Sequence, residues 1–123
     1  MELYKKEEYY KIVGLCMEVH RILGTGLCEI VYKDALEYGF IKNEIKFERE
    51  KEFNIKYKDI FLKHKFYADF IVSDDIVLEI KVAQEITKEQ VAQTINYVNL
   101  AWSRLGIIVN FKNRSIEHRR IAV

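Results

Sequence analysis

Three charged residues set inside two apolar, β-branched runs constrain this chain more than anything else in it. The first run is Phe66-Tyr67-Ala68-Asp69-Phe70-Ile71-Val72 and the second is Ile76-Val77-Leu78-Glu79-Ile80-Lys81-Val82, with Ser73-Asp74-Asp75 between them. Valine, isoleucine and aromatic residues on both sides of a short polar segment predict a β-hairpin. Asp69, Glu79 and Lys81 fall within its strands, and desolvating an unpaired charge costs several kcal/mol. Their placement therefore demands partners or a ligand. Side chains alternate faces along a strand, so Glu79 and Lys81 share one face while Leu78, Ile80 and Val82 line the other. The turn decides where Asp69 goes. A two-residue loop at Asp74-Asp75 pairs Asp69 with Ile80 and puts Glu79 on the opposite face. A three-residue loop, Ser73 to Asp75, pairs Asp69 with Glu79 and collects all three charges on one face. The longer loop, or a bulge of the same parity, is expected. Two carboxylates and an ammonium converging there make a hard oxygen site for Mg²⁺ or Mn²⁺ with a lysine at its rim. A structural ion-pair cluster on a half-exposed sheet face would carry the same charges.

The remaining segments supply a frame for such a site. Ile12, Val13, Cys16, Val19, Ile22 and Leu23 recur at helical spacing and predict a helix over about residues 5–23. Glu18 and His20 lie on it, and a lone histidine there is expected to pack or face solvent. Gly24-Thr25-Gly26 stops this helix. A second helix follows over about 27–42, with Val31, Ala35 and Tyr38 as its apolar stripe. Glu29 and Tyr32 share nearly one face of it, and Glu29 also suits the positive end of the first turn. Residues 45–58 alternate as a strand, with a bulge expected near Arg49-Glu50-Lys51. Lys58-Asp59 turns the chain into a further strand from Ile60, continuous with residues 66–72. Thr87 and Gln90 form a capping box for a helix over about 88–105, whose stripe is Val91, Ile95, Val98, Trp102 and Leu105. Gln93 and Tyr97, four apart, share a different face of that helix. Gly106 is expected to end the helix, Ile107 to Phe111 to form a buried strand, and Ile116 to Val123 an edge strand carrying Arg119 and Arg120. Strand, crossover helix and strand in succession imply a parallel pair with a right-handed connection. The expected fold is α/β, a mixed sheet with helices packed on it.

The chain's 123 residues suit a single domain, 1–123. A hydrophobic content of 50% beside 32% charged residues excludes a disordered chain. No apolar run approaches the roughly 20 residues of a membrane span, and the amino terminus lacks the apolar core of a signal peptide. Cys16 and Cys28 match no zinc spacing and no disulfide framework, so a reducing, cytoplasmic setting is expected. A net charge of +1 argues against strong non-specific binding to nucleic acid while leaving room for a local basic patch.

Asp69 followed by Glu79-Ile80-Lys81 on the next strand, after a helix bearing an acid, resembles the PD-(D/E)XK nuclease superfamily. Within it, Gly26-Leu27-Cys28-Glu29-Ile30-Val31-Tyr32 is similar to the motif that names the GxxExxY proteins. Glu18 to Gly26, Ala68-Asp69, Gln93-x-x-x-Tyr97 and Gly106-Ile107-Ile108-Val109-Asn110-Phe111 extend the likeness over nearly the whole chain. The resemblance implies a restriction-endonuclease-like αβββαβ core and a Mg²⁺-dependent (or Mn²⁺-dependent) nuclease, acting on nucleic acid and on DNA in the first instance. It implies that Asp69 and Glu79 bind metal, that the Ile80 carbonyl adds an oxygen, and that Glu29 completes the acidic cluster directly or through water. Lys81 would orient the attacking water and stabilise developing charge, and Gln93 and Tyr97 would position phosphate or water. Tyr67 stands where the family often has arginine, which removes one candidate partner for phosphate, and the turn before Asp69 lacks the superfamily's proline. A chain this small has little room for a substrate-binding domain, which makes a homodimer or a partner protein an expected complement. The alternative is a nucleic-acid- or protein-binding module of weak or absent catalysis on the same fold.

Overall fold

The computed structural model describes residues 4–123. Its elements are α1 (Lys6–Leu23), α2 (Glu29–Lys42), β1 (Phe47–Tyr57), β2 (Ile60–Val72), β3 (Ile76–Lys81), α3 (Lys88–Leu100), β4 (Leu105–Asn110) and β5 (Glu117–Ala122). The strands form one sheet in the order β1-β2-β3-β4-β5. Only β3 and β4 run parallel, because α3 carries the chain back between them. The other neighbours are antiparallel. This is the mixed sheet flanked by helices expected of a restriction-endonuclease-like fold, with β5 on its edge.

One sheet face packs under α1 and α2. Ile12, Cys16, Tyr32, Leu36 and Phe40 meet Phe70, Leu78, Ile80, Ile107 and Val109 there. The other face meets α3 through Val98, against Ala68, Ile71 and Val77. Each fully buried leucine or phenylalanine side chain stabilises the fold by about 1.5–3 kcal/mol, so these two layers hold the hairpin between helices. The β2–β3 turn is the three-residue loop expected: Val72 faces Ile76 and Phe70 faces Leu78. Asp75 in this turn is held by the Lys5 ammonium and by the Tyr4 hydroxyl at 3.2 Å, which fastens the start of α1 to the hairpin.

Four details differ from the sequence expectation. The register shift between β1 and β2 falls at Asn54/Lys56, not near Arg49-Glu50-Lys51, and its extra residues are on β2, where residues 62–64 stand against Ile55. Glu50 does take φ +52, but the register either side of it is unchanged. The buried stripe of α2 is Tyr32, Leu36 and Phe40, whereas Tyr38 is 67% exposed. The helix periodicity is compatible with either stripe, and the direction of approach of the sheet selects one. The stripe of α1 gives out before Ile22, which is exposed. Finally, α3 ends at Leu100 rather than 105. Trp102 adopts φ +57 and stands 94% exposed, while Leu105 opens β4, paired with Ile76 on one side and Ala122 on the other. Ladder bonds on both sides outweigh one more turn of helix. Gly106 accordingly is a strand residue, not a helix stop. A Cβ there would lie 2.8 Å from Val98 Cγ2 and 3.0 Å from Thr94 Cγ2, so its missing side chain lets α3 press onto β4.

Candidate active site

The site forms where β2 and β3 cease to pair as a regular ladder. One step beyond the Phe70–Leu78 pair, side chains take the backbone donors. The Asp69 N–H donates to Glu79 Oε2 at 2.8 Å, and the Ile80 N–H donates to Asp69 Oδ2 at 2.7 Å. The two carboxylates are thereby interlocked across the hairpin. Leu78 and Ile80 belong to the α1/α2 side of the core and Val77 to the α3 side, so strand alternation turns Glu79 and Lys81 towards α3.

Glu79 is only 4% exposed. Burial, and then the negative charge of Asp69, push its carboxyl up to about 8, against the opposing hydrogen bond from Asp69 and the charges of Lys81 and Lys33. Lys33 is a site residue that no sequence motif marks. It reaches from α2 to Asp69 Oδ1 at 3.2 Å and to Glu50 Oε1 at 2.5 Å. Burial opposes its charge, but the hydrogen bonds and charges of Glu50 and Asp69 carry the ammonium above its ordinary value. Its signal in the sequence is spacing: Lys33 is four residues after Glu29, one turn along the same helix face.

Glu29 opens α2 and accepts the Val82 N–H on Oε2 at 3.3 Å, just past the end of β3. The loop before it is tied down by Tyr32. That hydroxyl donates to the Gly24 carbonyl at 2.7 Å and accepts from the Leu27 N–H at 3.4 Å. The Tyr32 ring stacks on Phe111 at 4.5 Å, and Gly26, at φ +96, permits the turn. Tyr32 is thus a core residue that positions Glu29, not a partner on the same open face. His20 packs near Phe111 and bonds the Asn113 carbonyl at 2.9 Å, a structural role. From the other side, buried Asn110 clamps Ala83 through its N–H at 3.1 Å and its carbonyl at 2.7 Å. The strand end that carries Lys81 is therefore fixed from two directions.

The third wall is α3. Thr87 and Gln90 form the expected capping box. Tyr97 stacks on Phe66 at 4.2 Å. Burial, and then the charges of Glu79 and Asp69, raise its phenol above the ordinary tyrosine value, partly offset by a hydrogen bond with Gln93. Tyr97 thus stays a neutral hydroxyl beside the two carboxylates, with Gln93 exposed behind it.

Among the described residues, no group of three or more histidine, cysteine, aspartate or glutamate side chains is gathered to hold a metal. The interlocked pair Asp69 and Glu79 is a set of hard oxygen donors. It fits a small divalent cation, since Mg²⁺ is often held by one or two carboxylates and keeps several waters. Both cysteines are free, and among the described residues no helix is long and apolar enough to cross a membrane.

Residues 6–121 match the family model of the PD-(D/E)XK nuclease superfamily. The crystal structure of SSO0001 is similar over 95% of this chain and 58% of its own, with a TM-score of 0.60 and 24% sequence identity. At that identity the likeness concerns the fold. This chain spans under two thirds of that neighbour's length. No curated protein matches the chain.

Proposed function

This chain belongs to the PD-(D/E)XK nuclease superfamily, and we propose that it is a metal-dependent nuclease of the GxxExxY branch, cytoplasmic and acting on DNA. The observation that carries the reading is the reciprocal hydrogen bonding of Asp69 and Glu79 at the point where β2 and β3 part. An ion-pair cluster made only for stability would satisfy its carboxylates with cations. Here Lys33 meets Asp69 alone, each carboxylate is held by the other's strand, and Glu79 is buried with its carboxyl raised.

Asp69 and Glu79 are the residues that would hold Mg²⁺ or Mn²⁺, with the Ile80 carbonyl as a further oxygen and Glu29 acting through a bound water. When bound, the ion supplies positive charge against the phosphate and acidifies water. The chain's own groups do the rest. Lys81, on the Glu79 face, orients the attacking water and balances charge that develops on the phosphoryl oxygens. Lys33 holds Asp69 Oδ1 and fixes the carboxylate plane. Tyr97, kept protonated, donates to a phosphate oxygen or water, and Gln93 sets its direction.

The test is a calorimetric Mn²⁺ titration of the wild type against Asp69→Ala and Glu79→Ala, followed by cleavage of duplex DNA by the same samples. Both substitutions should abolish binding and cleavage in folded protein. Lys81→Ala should keep the metal and lose about 10²–10³-fold in rate. Cleavage that survives all three substitutions would overturn the assignment. One observation favours a second reading, a binding module without catalysis: the Lys33 ammonium sits on Asp69 Oδ1 and can stand in for a cation. Wild-type protein that binds DNA, takes up no metal and cuts no strand would establish that reading.

A further inference from the structure

The outer half of the β1–β2 hairpin has no assigned role. β2 pairs with β3 only from Phe70 to Val72, yet it runs back to Ile60, joined there to β1 alone. Residues 56–65 are exposed throughout. On the partner strand seven residues separate Glu50, level with Asp69, from Tyr57, paired with Ile60, so the ribbon extends roughly 23 Å from the site at about 3.3 Å per residue. The segment 56–65 holds four lysines against one aspartate, a net +3 on a chain of net +1, which leaves −2 for everything else. Among the described residues, Lys56, Lys58 and Lys63 pair with no carboxylate, and Lys65 reaches only Glu52, at 3.5 Å.

The lysines are also ordered. Lys56 lies opposite Phe61 and Asn54 opposite Lys65; Asn54 and Lys56 are two apart on β1, so Lys56, Phe61 and Lys65 share one face, with Lys63 in the bulge between them. The opposite face carries Tyr57, paired with Ile60, and continues along β1 through Ile55 and Phe53 to Phe66, which is buried against Tyr97 of α3. The lysine face is thus turned away from α3, on the strand that also holds Asp69.

We propose that this ribbon is a nucleic-acid-binding arm, its lysine face gripping the phosphodiester backbone of a duplex away from the bond to be cut; the inference rests on the nuclease reading above. A two-stranded ribbon fits the major groove of B-form DNA. A reach of about 23 Å spans roughly seven base pairs at 3.4 Å each. Such an arm supplies cations for phosphate that Tyr67 cannot, since the Tyr67 side chain is uncharged and its hydroxyl is engaged by Glu52 at 2.9 Å.

The experiment is fluorescence anisotropy on a labelled DNA duplex of about two to three helical turns, in EDTA and again with Ca²⁺ so that no strand is cut. The triple variant Lys56→Gln, Lys63→Gln, Lys65→Gln is compared with the wild type and with a control of equal charge, Lys6→Gln, Lys11→Gln, Lys42→Gln, on α1 and α2. The ribbon variant should bind at least about tenfold more weakly, and the slope of log affinity against log salt should flatten by about three. The control should match the wild type. Equal binding by the ribbon variant, or equal loss in both triple variants, overturns the arm while leaving the nuclease reading intact. Wild type that binds no duplex in either buffer also overturns the arm, and cleavage and metal titration then decide the nuclease reading separately.

Discussion

Replacing Glu79 by glutamine isolates the electrostatic tension at the site. Glutamine keeps the acceptor for the Asp69 N–H, 2.8 Å away in the native pair, and stands for the protonated acid at every pH. In the wild type the folded carboxyl titrates at about 8 against 4.5 for the ordinary group. Below pH 4.5 the proton is bound in both folded and unfolded chains, and its contribution to stability is fully present. Between 4.5 and about 8 the unfolded chain releases it while the folded chain keeps it, so stability falls as pH rises. At about 1.4 kcal/mol per pH unit, the metal-free protein should lose about 3 kcal/mol of stability by pH 7, nearing 5 above pH 8. Urea denaturation in EDTA from pH 4 to 9 measures this directly, and titrating groups remote from Glu79 cancel between the two proteins. The Glu79→Gln variant should gain on the wild type progressively across that window and level off above it. Wild-type and variant curves parallel to within about 0.5 kcal/mol would refute the argument that burial and Asp69 hold the proton on. Excess Mg²⁺ at pH 8 should recover stability in the wild type alone, because only there does binding favour the ionised pair.

Three further outcomes follow from the packing. Gly106→Ala should destabilise by about 1–3 kcal/mol, read as a lower denaturation midpoint, because the new Cβ meets Val98 and Thr94 at 2.8 and 3.0 Å. Tyr32→Phe should lose about 0.5–1.5 kcal/mol with its bond to the Gly24 carbonyl; unchanged stability would show that the loop before Glu29 does not depend on it. Trp102, the only tryptophan, should emit with a solvent-exposed spectrum, and Trp102→Ala should alter stability by less than about 0.5 kcal/mol; a blue-shifted emission would place the end of α3 elsewhere.

Much of this was legible in local pattern. Short-range rules sufficed for the three-residue turn at Ser73-Asp74-Asp75 and the Thr87 cap, since turn length and capping act within a few residues, and the strand–helix–strand succession sufficed for the parallel step across α3. The stripe of α2 and the end of α3 did not follow, because an apolar periodicity allows neighbouring faces and a helix stops where a strand competes for its residues. Trp102 counted as core by spacing and is the most exposed large apolar side chain of the structure.

The linear order of residues thus determined the elements, the mixed sheet and the candidates for the acidic pair. Only the tertiary structure brought Lys33 to Asp69, drew Glu29 to Val82, buried Glu79 against α3 and left Lys56, Lys58 and Lys63 of the outer hairpin without a carboxylate partner among the described residues. The reason is physical. Periodicity reports which face a residue takes, whereas charge pairing and desolvation depend on what another element, distant in sequence, places opposite that face.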